Sequence, residues 1–448
     1  MNRNHQNQSA SESTILSPID YRARMERCLE LIPGGAMLVL SQPAALRNSN
    51  VEHPYRQDSV MHYLTGFEEA ESAVLLLSKG APGERMILFL REKDALAELW
   101  EGLRLGTAAA PAKIGVDKAF PINQLWEMLP KLLGESETLY YHFGTSPHDD
   151  EQVIQAVARH KKLIGRTRGW QLPVFDSWGI AGQLRLRKTA VEVERMRAAA
   201  AITRTTFNKI YETVRPGQNE RDVHGLILGE FLRNGGDMEA YGSIVAGGAN
   251  ACVLHYRSNN MPLAEGQLLL VDAGAQLQYY ASDVTRTFPV GRRFTAEQKA
   301  LYEIVLAAQA AALETARPGS TLPAIHEAGL DVLVDGLREI RLLDGSRDEI
   351  KTKQTYKRFF PHNTSHWIGM DVHDVGDYTL EGKPLPLEPG MYFSVEPGLY
   401  VDPTDMAAPE SFRGIGIRIE DDVLITAAGH EIITAGIAKS VAELENRY

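Results

Sequence analysis

The sequence predicts a chain of two units, a compact α/β unit on the N-terminal side and an α+β unit made of two similar halves behind it. Three observations carry this. The length of 448 residues exceeds what one hydrophobic core usually fills. From Tyr21 to Pro173, short apolar runs alternate with stretches of helical spacing. Beyond Pro173 a pattern recurs: Val214-Arg-Pro-Gly217 and Ala316-Arg-Pro-Gly319 each follow one helical stretch and lead into another, with His224 and His326 at the same offset. Residues 1–15 read as a disordered tail, 16–174 as the first unit and 175–448 as the second.

In the first unit, Ala36–Ser41 is a short apolar strand. Ser72–Ser78 and Arg85–Arg91 are neighbouring strands around the turn Lys79-Gly-Ala-Pro-Gly. Ile122–Pro130 has helical spacing. In the second unit, Thr189-Ala-Val-Glu192 has the form of a capping box and opens a long helix. That helix should stop near Arg215-Pro216-Gly217, because proline and glycine both end helices. Arg-Pro-Gly is also a common helix stop, so the repeat rests on the whole pattern rather than on this tripeptide. His224 and His326 read as helix residues without chemistry.

An apolar fraction of 44% and a charged fraction of 23% describe a soluble globular protein. The net charge of −11 argues against nucleic-acid and anionic-membrane partners. Cys28 and Cys252 fall in different units, which excludes a disulfide framework and a thiolate zinc site and fits the reducing cytoplasm. The first residues lack the apolar core of a signal peptide, and no apolar run reaches the length of about 18 residues that a membrane span needs.

Four segments carry chemistry. Leu268-Leu-Leu-Val-Asp-Ala-Gly274 reads as a buried strand with Asp272 at its end, and Asp283 follows on a return strand after a short turn. Burying a carboxylate is costly unless it is paired or binds a metal. Taken alone, the pair also fits aspartates in hairpin turns. The second segment, His362 to Asp374, holds three of the chain's 13 histidines, His362, His366 and His373. Its order is not that of the helical zinc proteases. In the third, Glu396 ends an apolar strand before Pro-Gly; in the fourth, alternation puts Arg418 and Glu420 on one strand face. Together Asp272, Asp283, His366, Glu396 and Glu420 make four carboxylates and one imidazole. Two divalent ions, about 3.5–4 Å apart, would compensate that charge. Such a ligand set suits manganese, with cobalt and zinc as alternatives, and the reaction class is hydrolysis.

The order and spacing of these five residues resemble the pita-bread metallopeptidases, and within them the bacterial aminopeptidase P, or Xaa-Pro aminopeptidase, family. The resemblance extends to Arg47–Gln57, Tyr63-Leu-Thr-Gly-Phe67, Glu98–Gly106 and Cys252-Val-Leu-His-Tyr256. It implies that Asp283 and Glu420 bridge the metals, that Asp272 completes one ion's shell, and that His366 and Glu396 complete the other's. It makes Glu396 the general base as well. It implies that His255 and His373 bind substrate and steady developing charge, and that His362, Tyr400 and Arg418 form the proline-side pocket. Trp100 is expected to reach the site of a neighbouring subunit in a dimer or tetramer. Asn363, where close relatives are expected to carry glycine, and Asn50, where they are expected to carry an acid, depart from the pattern. The activity implied is cleavage before a proline in second position, a bond without an amide N–H. Prolidase activity on dipeptides and a non-catalytic binding module are the competing readings.

Overall fold

The computed structural model describes residues 16–168, 171–291 and 293–446. The tail expected over residues 1–15 lies outside them. The first unit is built on a six-stranded sheet in the order Lys118–Pro121, Met86–Leu90, Ala73–Leu77, Gly35–Leu40, Thr138–Tyr140, Val174–Phe175. Ala73–Leu77 and Met86–Leu90 pair antiparallel, as the turn between them predicts. The last strand carries this sheet through Phe175, one residue past the expected boundary.

Side chains alternate across the central strands, so each strand feeds two cores. Ala36, Leu38, Leu75, Ile87 and Phe89 pack with Leu129 and Val153 of the helices Leu125–Leu132 and Pro147–Ile164. Met37, Val39, Val74, Leu76 and Leu88 face the other way, toward Met25, Leu29 and Leu64. This second core continues into Val193, Met196, Tyr280, Ile368 and Tyr392 of the second unit. The two units therefore share one apolar core. The helix expected over Ile122–Pro130 starts as a tighter turn at Ile122–Gln124 and runs on to Leu132 with Pro130 inside it.

In the second unit the helix Ala190–Thr213 opens with the Thr189–Glu192 capping box and stops just short of Arg215-Pro-Gly. Helix Glu220–Arg233 follows, and then the antiparallel sheet Ile244–Gly247, Leu268–Asp272, Thr285–Pro289. The second half repeats the plan: helices Ala296–Thr315 and Leu322–Glu339, and then the antiparallel sheet Tyr392–Val395, Asp421–Thr426, Gly429–Ile432. The halves join where Glu420 N donates to the Thr285 carbonyl at 3.0 Å. The two repeat histidines sit on the second helix of each half. His224 Nε2 lies 3.6 Å from Glu239, and His326 Nδ1 lies 2.9 Å from Thr364 Oγ1.

The segment between Asp272 and Asp283 differs from the short turn expected. A second hairpin, Ala275–Leu277 with Tyr280–Ala281, is inserted there. Asp283 lies in the link before Thr285–Pro289 rather than on that strand. The kink depends on Gly274, where any Cβ would sit 1.6 Å from the Ser282 carbonyl oxygen. Gln278 and Tyr279 turn the hairpin with φ of 48° and 72°. Arg418 and Glu420 likewise do not share one strand: Arg418 ends Gly416–Arg418, and Glu420 precedes Asp421–Thr426.

Candidate active site

Strand ends and loops of both halves converge on one cleft of about 470 Å³. Asp272, Asp283, His255, His362, His366, His373, Glu396, Arg418 and Glu420 all line it. Asp272 ends its strand, and Glu396 follows directly on Tyr392–Val395. His366 is held in a non-helical loop by its own N–H, which donates to Ser394 Oγ at 3.1 Å, and by the adjoining bridge from Trp367 to Phe393.

Oxygens of Asp283 and Glu420 and a ring nitrogen of His366 lie within 4.8 Å of one another. His366 Nε2 stands 3.4 Å from Asp283 Oδ2 and 3.5 Å from Glu396 Oε1. Its Nδ1 faces the Trp367 carbonyl at 3.2 Å. A carbonyl there accepts the Nδ1–H and turns Nε2 toward the carboxylates, the orientation usual for a ligating histidine. Asp272 accepts from Arg418 Nη2 at 2.6 Å and from the Tyr241 hydroxyl at 2.6 Å. Tyr241 also bridges to Asp283 Oδ1 at 2.5 Å, and Thr285 Oγ1 donates to Glu420 Oε2 at 2.6 Å.

The four acids face the guanidinium of Arg418 and the ring of His366. Burial, and then the neighbouring acids, push the carboxyls of Glu420 and Asp283 up. Burial raises Glu396 to about 7 against the pull of His366 and Arg418. Burial alone would lower His366, but Asp283 and Glu396 outweigh it and raise the imidazole to about 9. A buried cluster of carboxylate oxygens with one imidazole nitrogen fits divalent metal.

A second chain of contacts leads out of the cluster. Arg418 Nη1 donates to the Tyr400 hydroxyl at 2.9 Å, and that oxygen lies 2.9 Å from His362 Nε2. His362 Nδ1 faces the Asn363 carbonyl at 2.7 Å. Burial lowers His362 to about 4. The neutral ring therefore donates from Nδ1 and accepts the tyrosine proton at Nε2. His373 packs edge-on against His366 with ring centroids 4.5 Å apart. Trp100, on the helix Ala95–Glu101, is 82% exposed and does not line the cleft of its own chain. Asn50 is also outside it, in the turn between Leu46–Asn48 and Val51–Glu52.

Several residues of this site escaped the sequence reading. Tyr241 and Thr285 lie in no distinctive pattern. Asp422 had a signal, since three acids in a row inside an apolar strand are unusual. The three diverge: Glu420 enters the cleft, while Asp421 pairs with Arg286 and Lys439 at 2.7 Å each. Asp422 backs Asp283, accepting from its N–H and from Ser282 Oγ at 3.1 Å each.

Residues 194–427, more than half of the chain, match the model of metallopeptidase family M24. The chain belongs to metallopeptidase family M24. The M24 unit is a hydrolase domain, and the matched stretch contains all five clustered residues. Residues 21–140 match the aminopeptidase P N-terminal domain. The Xaa-Pro aminopeptidase of Escherichia coli K12 is 37% identical, over 96% of this chain and 97% of its own length. Human Xaa-Pro aminopeptidase 3 is 33% identical, over 96% of this chain and 86% of its own. Among solved structures, Pseudomonas aeruginosa aminopeptidase PepP superposes with a TM-score of 0.90 at 41% identity, covering 95% of this chain and 97% of that one. Zinc-substituted E. coli aminopeptidase P in complex with product also gives a TM-score of 0.90, at 37% identity over 96% and 98%.

Proposed function

We propose that the chain is an Xaa-Pro aminopeptidase that releases the N-terminal residue from peptides with proline second. The observation that carries this is the convergence of four acids and His366 in one cleft with the His362–Tyr400–Arg418 chain at its side. The names of the full-length relatives favour this over a dipeptidase. Asp272, Asp283, His366, Glu396 and Glu420 would hold two divalent ions, Mn²⁺ by the hardness of the donors, with Asp283 and Glu420 shared between them. Bound there, the ions supply Lewis acidity toward the scissile carbonyl and toward a water.

The side chains do the rest. Glu396, at the end of its strand with Oε1 3.5 Å from His366 Nε2, takes a proton from the attacking water. His373 and His255 donate toward the oxygen that gains charge. His362 and Tyr400, locked to each other and to Arg418, form a rigid wall for the pyrrolidine ring. That wall needs no amide hydrogen on the substrate. Trp100, with Leu96, Leu99 and Leu103, forms an exposed apolar patch that suits a homo-oligomer in which it reaches a neighbouring site. Unpaired Cys28 and Cys252 suit the cytoplasm.

The test is a peptide series, Xaa-Pro-Yaa, Xaa-Ala-Yaa and acetyl-Xaa-Pro-Yaa, assayed with chelator and after return of Mn²⁺. Cleavage of the first alone, lost with chelator and restored by Mn²⁺, is expected. Equal kcat/KM on the alanine peptide would remove the proline pocket. Cleavage of the acetylated peptide would remove the aminopeptidase reading, and full activity in metal-free protein would remove the metal centre.

A further inference from the structure

The motif Pro54-Tyr-Arg56-Gln57 belongs to the first unit, yet Arg56 reaches into the second. Its Nη2 donates to the Met370 carbonyl at 2.8 Å and to Asp371 Oδ1 at 3.2 Å. Its Nε donates to Gln276 Oε1 at 3.0 Å, and its guanidinium lies over the Tyr279 ring at 4.8 Å. Met370 and Asp371 lead directly into His373. Gln276 and Tyr279 lie on the inserted hairpin between Asp272 and Asp283. The two segments are themselves joined by Ala281 N, which donates to the Gly369 carbonyl at 2.8 Å.

The loop carrying His373 is fixed on both flanks. Ahead of it, Asp371 accepts from Ser59 Oγ at 2.6 Å and from Arg185 Nη2 at 2.8 Å. Behind it, Asp374 pairs with the same Arg185 and accepts from Lys188 Nζ at 2.9 Å. Arg185 is 2% exposed, and its neighbour Lys188 donates to its carbonyl at 2.8 Å. His373 thus sits on a short arch whose Asp371 foot rests on Ser59 of the first unit and on Arg185, and whose Asp374 foot rests on Arg185 and Lys188. His373 itself is exposed to the cleft and its ring meets His366 only edge-on, so its direction depends on the backbone that carries it. Its aim is inherited from the arch.

We infer that Arg56 of the N-terminal unit is a positioning residue for catalysis, which aims His373 by holding the Met370–Asp371 foot of its loop. The inference rests on the reading of His373 as a substrate-facing donor. It gives the first unit a catalytic role within its own chain, separate from any contact between subunits. Asp371 is the direct link, and Arg185 is the anchor that both feet share. A lysine at position 56 has one point charge in place of the planar fork, so it can serve the carbonyl or the carboxylate but not both with the same geometry.

The experiment is a double-mutant cycle on full-length, Mn²⁺-loaded protein with a Xaa-Pro-Yaa tripeptide. Arg56→Ala is expected to lower kcat by about ten- to a hundredfold with KM and metal content unchanged. Arg56→Lys is expected to fall between Arg56→Ala and wild type. In the His373→Ala background, Arg56→Ala is expected to change kcat by less than about twofold, because the group it aims is gone. A general loss of packing would instead lower kcat by the same factor in both backgrounds, and that result would overturn the inference. So would an unchanged kcat in Arg56→Ala, or a loss of metal, which would place its effect on the Asp272–Asp283 hairpin. If His373→Ala alone leaves kcat intact, the underlying reading of His373 fails first.

Discussion

Arg418 is 4% exposed, and its guanidinium donates to Asp272 Oδ2 at 2.6 Å, Tyr400 OH at 2.9 Å and Thr285 Oγ1 at 3.1 Å. It pairs with Asp272 at one side of the acid cluster, as His366 pairs with Asp283 and Glu396 at the other. Arg418→Met keeps the aliphatic stem and removes the charge. In metal-free protein this leaves Asp272 buried beside three other acids with no guanidinium. Removing one partner of a buried pair costs about 3–5 kcal/mol. At about 3 °C per kcal/mol for a domain of this class, the melting temperature should fall by about 10 °C. Divalent ions would replace much of the missing charge, so the same substitution should cost less than half as much in Mn²⁺. Differential scanning calorimetry of wild type and variant, in EDTA and in excess Mn²⁺, measures both gaps. An equal gap in the two conditions would refute the argument, since it would mean that arginine and metal do not compensate the same charge. A variant as stable as wild type in EDTA would refute it too.

Three further outcomes follow from the same geometry. Asp283→Ala or Glu420→Ala should abolish peptidase activity and leave fewer than two ions per chain by elemental analysis; an active variant with a full metal count would take that residue out of the centre. His373→Ala should lose about a hundred- to a thousandfold in kcat, the worth of one positioned donor at about 2.7–4 kcal/mol, with its metal retained. Metal loss in that variant would reverse the assignment of the ligating imidazole. His362, lowered to about 4 by burial, stays neutral in the fold while the unfolded chain protonates near 6.5. Stability should therefore fall as pH drops from about 6.5 toward 4, and His362→Gln should flatten that part of the pH–stability curve.

Much of the site could be read in the sequence because burying a charge is a local cost with a local sign. Asp272 at the end of Leu-Leu-Leu-Val, Glu396 after Tyr-Phe-Ser-Val and Glu420 after Gly-Ile-Arg-Ile each interrupt an apolar run, and an interruption is visible without knowing what lies opposite. The two-unit plan, the capping box at Thr189 and the helix stops at the two Arg-Pro-Gly sites were legible for the same reason, since periodicity and backbone chemistry act over a few residues. The insertion after Gly274 was not legible. Its sequence, Ala-Gln-Leu-Gln-Tyr-Tyr-Ala, reads equally well as a plain turn and strand. The tight pass that Gly274 permits over Ser282, and the left-handed turn at Gln278 and Tyr279, appear only in the folded chain.

The sequence by itself determined which residues bear charge inside apolar segments, and hence the class of chemistry that can relieve it. The tertiary structure alone decided which of those residues meet. Tyr241 spans Asp272 and Asp283 across separations of 31 and 42 residues, and Arg56 reaches Met370 across 314. Contacts of that range depend on how the two units and the two half-sheets pack, and that packing is the sum of many weak apolar contacts shared among Met37, Val193, Tyr280 and Ile368. No single residue in the sequence carries its sign.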